Sequence, residues 1–228
     1  MRFATPLCFG VIAAAILAGP ARPQDADDSL RLYAVNIYRT GQQASSGYGV
    51  YLGRGIVITA AHVAGLGFWR RPRVEIAGQK LPTDVVKDGH FHGVDLTLLS
   101  VDARQLPVSL GLRRMPLCQR PPWVGEPVIV ATPEGVARSN IMSPKLLPPD
   151  VIPGKFQTVI RHVAEMGESG SGVFDADKKC LLGIITEGIW GYQIRKENGQ
   201  AGRERQDAAR YFVPASIIAD FIPPEVRF

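Results

Sequence analysis

The punctuation of this chain constrains its fold more than any other feature. Short runs rich in Val, Ile, Leu and Tyr are cut again and again by Gly and Pro, and no long apolar period of 3.6 residues replaces them. The runs cover 32–38, 48–52, 56–59, 73–76, 85–87, 96–101, 127–131, 156–163, 172–174, 181–186 and 211–213. The 24 Gly and 18 Pro are scattered, as turns between short strands require. The clearest helical pattern spans 215–221 and is stopped by Pro223 and Pro224. Many strands with almost no helix point to an all-β sandwich or barrel.

The first residues belong to targeting rather than to fold. Arg2 precedes an apolar stretch, 7–17, and small residues follow at Ala18, Gly19 and Ala21. This is the pattern of a secretory signal peptide over 1–21, cleaved after Ala18 or Ala21, and it is too short for a typical membrane span. The mature protein is therefore expected outside the cytoplasm, periplasmic or secreted, with no stable membrane insertion. Residues 22–29 are polar and acidic, and a loose lead-in is expected there. An N-terminal lobe is expected over 30–112. A Pro- and Arg-rich connector follows over 113–122, then a C-terminal lobe over 123–228.

Formal net charge is +5, spread along the chain. In the stretch 191–210, Glu197, Glu204 and Asp207 interleave with the basic residues. A solvated surface loop is expected there, and no nucleic-acid partner, because a phosphate-tracking groove favours one sign. Cys8 leaves with the signal. Cys118 and Cys180 remain, both at strand boundaries and both destined for an oxidising compartment. A disulfide between them is expected, with two buried thiols as the alternative.

Three short segments carry chemistry. In Gly167-Glu168-Ser169-Gly170-Ser171-Gly172, glycines flank Ser169 in a turn that can present its hydroxyl and aim backbone N–H groups into one pocket. Serine is a poor nucleophile without a base. His62 follows the apolar strand 56–59 and two small residues, a rigid placement that leaves room for substrate. Asp95 opens the apolar strand 96–101, where a carboxylate can fix an imidazole tautomer. Each feature alone has a bland reading: a Gly/Ser turn, a structural histidine, a strand-initiating turn residue. Together and in this order they are far more specific.

The chain resembles the trypsin-like serine peptidase family, closest to compact bacterial protease domains of the HtrA/Deg type. The resemblance rests on Ser46-Gly47-Tyr48-Gly49-Val50, Thr59-Ala60-Ala61-His62, Val94-Asp95-Leu96-Thr97-Leu98-Leu99, Val124-Gly125-Glu126-Pro127-Val128, the Ser169 segment through Phe174, and Gly183-Ile184-Ile185-Thr186-Glu187-Gly188. It implies two six-stranded Greek-key β-barrels with the active site between them, a short C-terminal helix and no PDZ-like module. It implies a serine endopeptidase acting on polypeptides without cofactor or metal. His62 would be general base, Asp95 its orienting carboxylate and Ser169 the nucleophile. Gly167 and Ser169 would supply oxyanion N–H donors. Thr186, Glu187 and Gly188 would form the edge that pairs with substrate, and Val163 and Ala164 the specificity pocket. With no carboxylate at the pocket base, the resemblance implies an uncharged, small-to-medium apolar residue on the acyl side of the cut. No Ile-Val-Gly-Gly-like start lies within 25–35, so no activation cleavage is expected, and chains starting anywhere from Arg22 to Ser29 should be equally active.

Two other functions compete. The same fold without activity would be a binding protein, but decayed members usually lose a triad residue, and all three residue types are here. An α/β-hydrolase requires Gly-x-Ser-x-Gly and the order Ser, Asp, His, and both fail. His90 and His92 are spaced for a metal but lack further ligands beyond Asp88 and Asp95. His162 is expected to be structural or substrate-facing.

Overall fold

The computed structural model describes residues 27–39, 44–65, 71–90, 93–148, 151, 157–161, 163, 169–197 and 200–228. The expected signal peptide and residues 22–26 lie outside them. The chain is almost all β, in two sheets, each curved into a barrel-like layer.

The first sheet contains β1 (Ala34–Tyr38), β2 (Gly47–Gly53), β3 (Ile56–Thr59), β4 (Arg73–Ile76), β5 (Gln79–Pro82), β6 (Asp84–Asp88) and β7 (Thr97–Ser100). Their order is β5-β4-β1-β2-β3-β7-β6, seven strands where six were expected. The extra strand comes from one bend. Only Thr83 separates β5 from β6; it is buried and its hydroxyl donates to the Pro72 carbonyl at 2.7 Å. The chain thus passes directly from one edge of the sheet to the other. β3 lies between β2 and β7 and is buried at every position, which explains its unbroken apolar run.

The second sheet closes as a six-stranded barrel in the order β10-β13-β12-β11-β8-β9. Its strands are β8 (Pro127–Ala131), β9 (Val136–Met142), β10 (Val159–Arg161), β11 (Gly172–Asp175), β12 (Leu181–Glu197) and β13 (Gln200–Pro214). The last two correct the expected surface loop at 191–210. β12 and β13 pair without a long break from Gly183↔Pro214 to Glu197↔Gln200, so this stretch is a two-stranded ribbon growing out of the barrel. A ladder is held by backbone hydrogen bonds, and a ribbon outside the core needs no apolar face. Its sequence therefore lacked the alternation that marks a half-buried strand.

The connector is stitched to both sheets. Arg114 bridges Gly53, and the Met115 N–H donates to the Leu52 carbonyl at 2.9 Å. Leu117 bridges Leu181, whose N–H donates to the Pro116 carbonyl at 2.9 Å. Two short helices, α1 (Ala61–Ala64) and α2 (Val108–Gly111), precede it, and α3 (Ala215–Phe221) closes the chain where its pattern placed it. Ile218 and Phe221 of α3 enter an apolar cluster that takes Val50, Leu52, Ile58 and Leu98 from the first sheet and Ile129, Phe174, Leu181 and Val213 from the second. Lys87 of β6 donates to the Phe221 carbonyl at 2.8 Å, so the C-terminal helix also holds the first sheet.

Residues 22–29 were expected to be loose. Asp27 is instead buried, and its carboxylate accepts from Arg138 Nε at 2.8 Å and from Lys179 Nζ. Burial pushes the Asp27 pKa up, but the two cations outweigh it and hold the carboxyl below its usual value.

Candidate active site

β3 and β7 are neighbours, with Thr59 opposite Thr97. This pairing brings the turn after β3 against the bend before β7, although 33 residues separate His62 from Asp95. His62 lies in α1, directly after β3. Asp95 is buried, and it grips His62 twice. Its Oδ1 accepts the His62 backbone N–H at 3.0 Å, and its Oδ2 lies 2.8 Å from Nδ1. A carboxylate at Nδ1 fixes the tautomer with the proton there, which leaves Nε2 with its lone pair. The His62 side chain is 29% exposed, enough to meet a substrate. Arg39 donates to the His62 and Val63 carbonyls and so ties down the last turn of α1. Sequence reasoning had not picked out Arg39.

Ser169 reaches the same place from the second barrel. Its carbonyl accepts from the Tyr48 N–H in β2 at 3.0 Å, and the next N–H, from Gly170, donates to the Ile185 carbonyl in β12 at 2.7 Å. The serine is thus pinned between the sheets. Gly170 has φ +91°, and a Cβ there would lie 1.8 Å from the Tyr48 carbonyl oxygen, so only glycine fits. Ser169 Oγ donates to the Thr186 carbonyl at 3.3 Å. Ser171, two residues on, is fully buried.

His62 and Ser169 line one cleft of about 370 Å³, together with Ser46, Gly47, Gly188 and the ribbon residues Trp190, Arg205, Asp207 and Arg210. β11 stops pairing with β12 at Ile184, so the β12 edge beyond it turns toward this cleft. Thr186 is buried, Glu187 and Gly188 are partly exposed, and Gly188 joins the cleft wall. Val163 packs into the apolar interior of the second barrel beside Cys118, Cys180 and Phe212. Gly167, Ala164, His162 and His92 lie outside the described residues. Tyr211, opposite Glu187, has its pKa pushed up by burial first and then by the charges of Glu187 and Asp95, so its hydroxyl stays neutral.

Cys118 and Cys180 are joined by a disulfide, with Cα atoms 5.1 Å apart. His90 pairs with Asp88 at 3.6 Å. Among the described residues, the group with ligand-like spacing is Cys118, Asp175 and Cys180, and its two sulfurs are already bonded to each other. No helix among the described residues is long and apolar enough to cross a membrane.

The sequence profile of the trypsin-like peptidase domain matches residues 47–184, from β2 to the end of the β11–β12 pairing. This chain belongs to the trypsin-like peptidase family. No curated protein matches this trypsin-like chain significantly by sequence. Its fold is similar to that of the Rv3671c protease of M. tuberculosis in its inactive form, with TM-score 0.57, 18% identity, and coverage of 85% of this chain and 88% of that one. It is similar to a serine endoprotease from Yersinia pestis, with TM-score 0.55, 19% identity and coverage of 89% and 65%. It is also similar to the MamO protease domain from Magnetospirillum magneticum, with TM-score 0.54, 20% identity and coverage of 85% and 97%. At these identities the likeness is one of fold.

Proposed function

We propose that this protein is a serine endopeptidase that hydrolyses polypeptides through His62, Asp95 and Ser169. The observation that carries the reading is the double grip of Asp95 on His62 beside Ser169 in one cleft. His62 Nε2 takes the proton of Ser169 Oγ as the oxygen attacks the scissile carbonyl. The tetrahedral oxyanion is held by the N–H groups of Ser169 and Gly167. His62 then gives its proton to the leaving amine, and an acyl-enzyme remains. Water, deprotonated by the same nitrogen, releases the acid and restores Ser169. Asp95 stays ionised and stabilises the imidazolium. The β12 edge at Thr186–Gly188 receives the substrate backbone as an added strand. Ser171 has no part in this, because a fully buried hydroxyl does not meet a substrate. The signal-like N-terminus and the disulfide support action after export.

The test is labelling by a fluorophosphonate, with mass-spectrometric cleavage profiling on a peptide library. Wild type labels and cuts, Ser169→Ala does neither, and Ser171→Ala labels. Loss of labelling only in Ser171→Ala, or no labelling at all, overturns the reading.

A further inference from the structure

The cleft holds charges that the catalytic reading does not use. Arg210 of β13 sits opposite Gly188 of β12, where the ribbon leaves the barrel. A Cβ at residue 188 would lie 2.8 Å from Arg210 Nη1, so the guanidinium occupies the space that a side chain there would fill. Arg210 is 16% exposed and lines the same cleft as His62 and Ser169. Asp207, 40% exposed, lies 3.6 Å from Arg210 Nη2. Arg205 stacks on the Trp190 ring at 3.7 Å. Among the described residues, two guanidinium groups and one carboxylate from the ribbon thus line the cleft. Glu187, beside Gly188, is opposite Tyr211 rather than Arg210.

We propose that Arg210 selects substrates carrying a carboxylate side chain on the acyl side of the scissile bond. This rests on the endopeptidase reading and replaces the uncharged preference expected from sequence. A substrate strand laid along Thr186–Gly188 places its side chain near Ser169 over Gly188, where the guanidinium lies. A guanidinium at the cleft wall can give an incoming carboxylate charge-assisted, two-pronged hydrogen bonds beside its contact with Asp207. Five N–H donors let one guanidinium serve both carboxylates. An acyl-side Lys or Arg would instead meet like charge.

The experiment compares kcat/KM for peptides that differ only in Glu, Gln or Lys at the acyl-side residue. Each ratio is internal to one enzyme preparation, so loss of folded protein cancels. Wild type favours Glu over Gln by at least about tenfold, the worth of a charge-assisted hydrogen bond. Arg210→Gln brings the ratio to near one. Arg210→Glu turns the preference toward Lys. Arg210→Lys, which keeps the charge but not the fork, gives an intermediate ratio and serves if the other variants fail to fold. A wild type that labels with fluorophosphonate and cuts through Ser169 yet prefers Gln or Lys overturns this inference alone. A Glu preference unchanged in Arg210→Gln does the same. Absence of labelling and of Ser169-dependent cleavage overturns the endopeptidase reading and this inference with it.

Discussion

In the first sheet, His62 lies three residues after β3 and Asp95 two residues before β7, both strands paired and buried, and each side chain holds the other. In the second barrel, Ser169 hangs on a glycine-bearing turn, and the cleft wall comes from a ribbon that runs well past the barrel. The supports differ as well. The second barrel is fastened away from the cleft by the disulfide and by Arg120, whose Nη2 lies 2.7 Å from buried Glu126 and 2.8 Å from buried Asp175. Among the described residues of the first sheet, the ion pairs Arg71–Asp84 and Arg104–Asp102 are exposed and contribute little. The proposed base and its carboxylate thus sit on the sheet fixed by its own strand pairing, and the proposed nucleophile and the cleft wall on the one with extra fastening.

The sharpest way to break this comparison is to remove the proposed catalytic groups. Ser169→Ala abolishes turnover, and His62→Ala and Asp95→Asn each lower it by about 10⁴, with melting nearly unchanged. Near-normal turnover in any of them, in a steady-state peptide assay, defeats the division. Next come the fastenings. The disulfide closes a separation of 62 residues, and Cys118→Ser with Cys180→Ser lowers stability by about 4 kcal/mol in the chain-entropy model. Denaturant unfolding measures the loss. Thiol counting on the unreduced protein should find no free thiol in the mature chain. Arg120→Met leaves Glu126 and Asp175 buried without their cation and lowers stability. These losses should appear in urea midpoints and leave kcat at low temperature intact. A matching fall in kcat would show that the fastenings shape the cleft.

The smallest effect lies at the N-terminus. Because Asp27 is buried and paired, indifference to the starting residue holds only for chains that keep it. A chain starting at Ser29 should lose about 1 kcal/mol, the scale of one charge-assisted contact. The pH dependence has a definite sign. The folded-state pKa of Asp27 is depressed, so its contribution is fully present above the ordinary aspartate value of 3.8 and fades as pH falls through the lower folded value. Melting curves of wild type and Asp27→Asn should therefore converge in acid. A gap that widens in acid contradicts the assigned direction.

Much of the candidate site was legible because it is local. β3, β4, β8 and α3 fall where their patterns put them, and His62, Asp95 and Ser169 each sit in a short segment with its own logic. β5 and β9 were not legible, because β5 is mostly exposed, β9 mostly half-buried, and neither has a continuous apolar face. The ribbon was missed for a similar reason: Lys196, Glu197, Arg203 and Glu204 read as solvated loop. With it went Arg210, whose place over Gly188 is set by cross-strand register and by no nearby motif. Asp27 was missed because its partners, Arg138 and Lys179, lie more than a hundred residues away.

The apolar cluster that draws Val50, Leu52, Ile58 and Leu98 together with Ile129, Phe174, Leu181 and Val213 makes the two sheets poor candidates for separate life. Severed at the connector, each half would show water a broad greasy wall that normally faces its partner, and neither fragment would stay in solution by itself. Made together, the halves would find each other through that wall. They would rebuild the cleft in the same act, since Ser169 is oriented by Tyr48 on one side and Ile185 on the other. Assembly of the fold and of the proposed active site would be one event in this molecule. A nascent chain would hold Ser169 in place only when its last strands and closing helix had arrived.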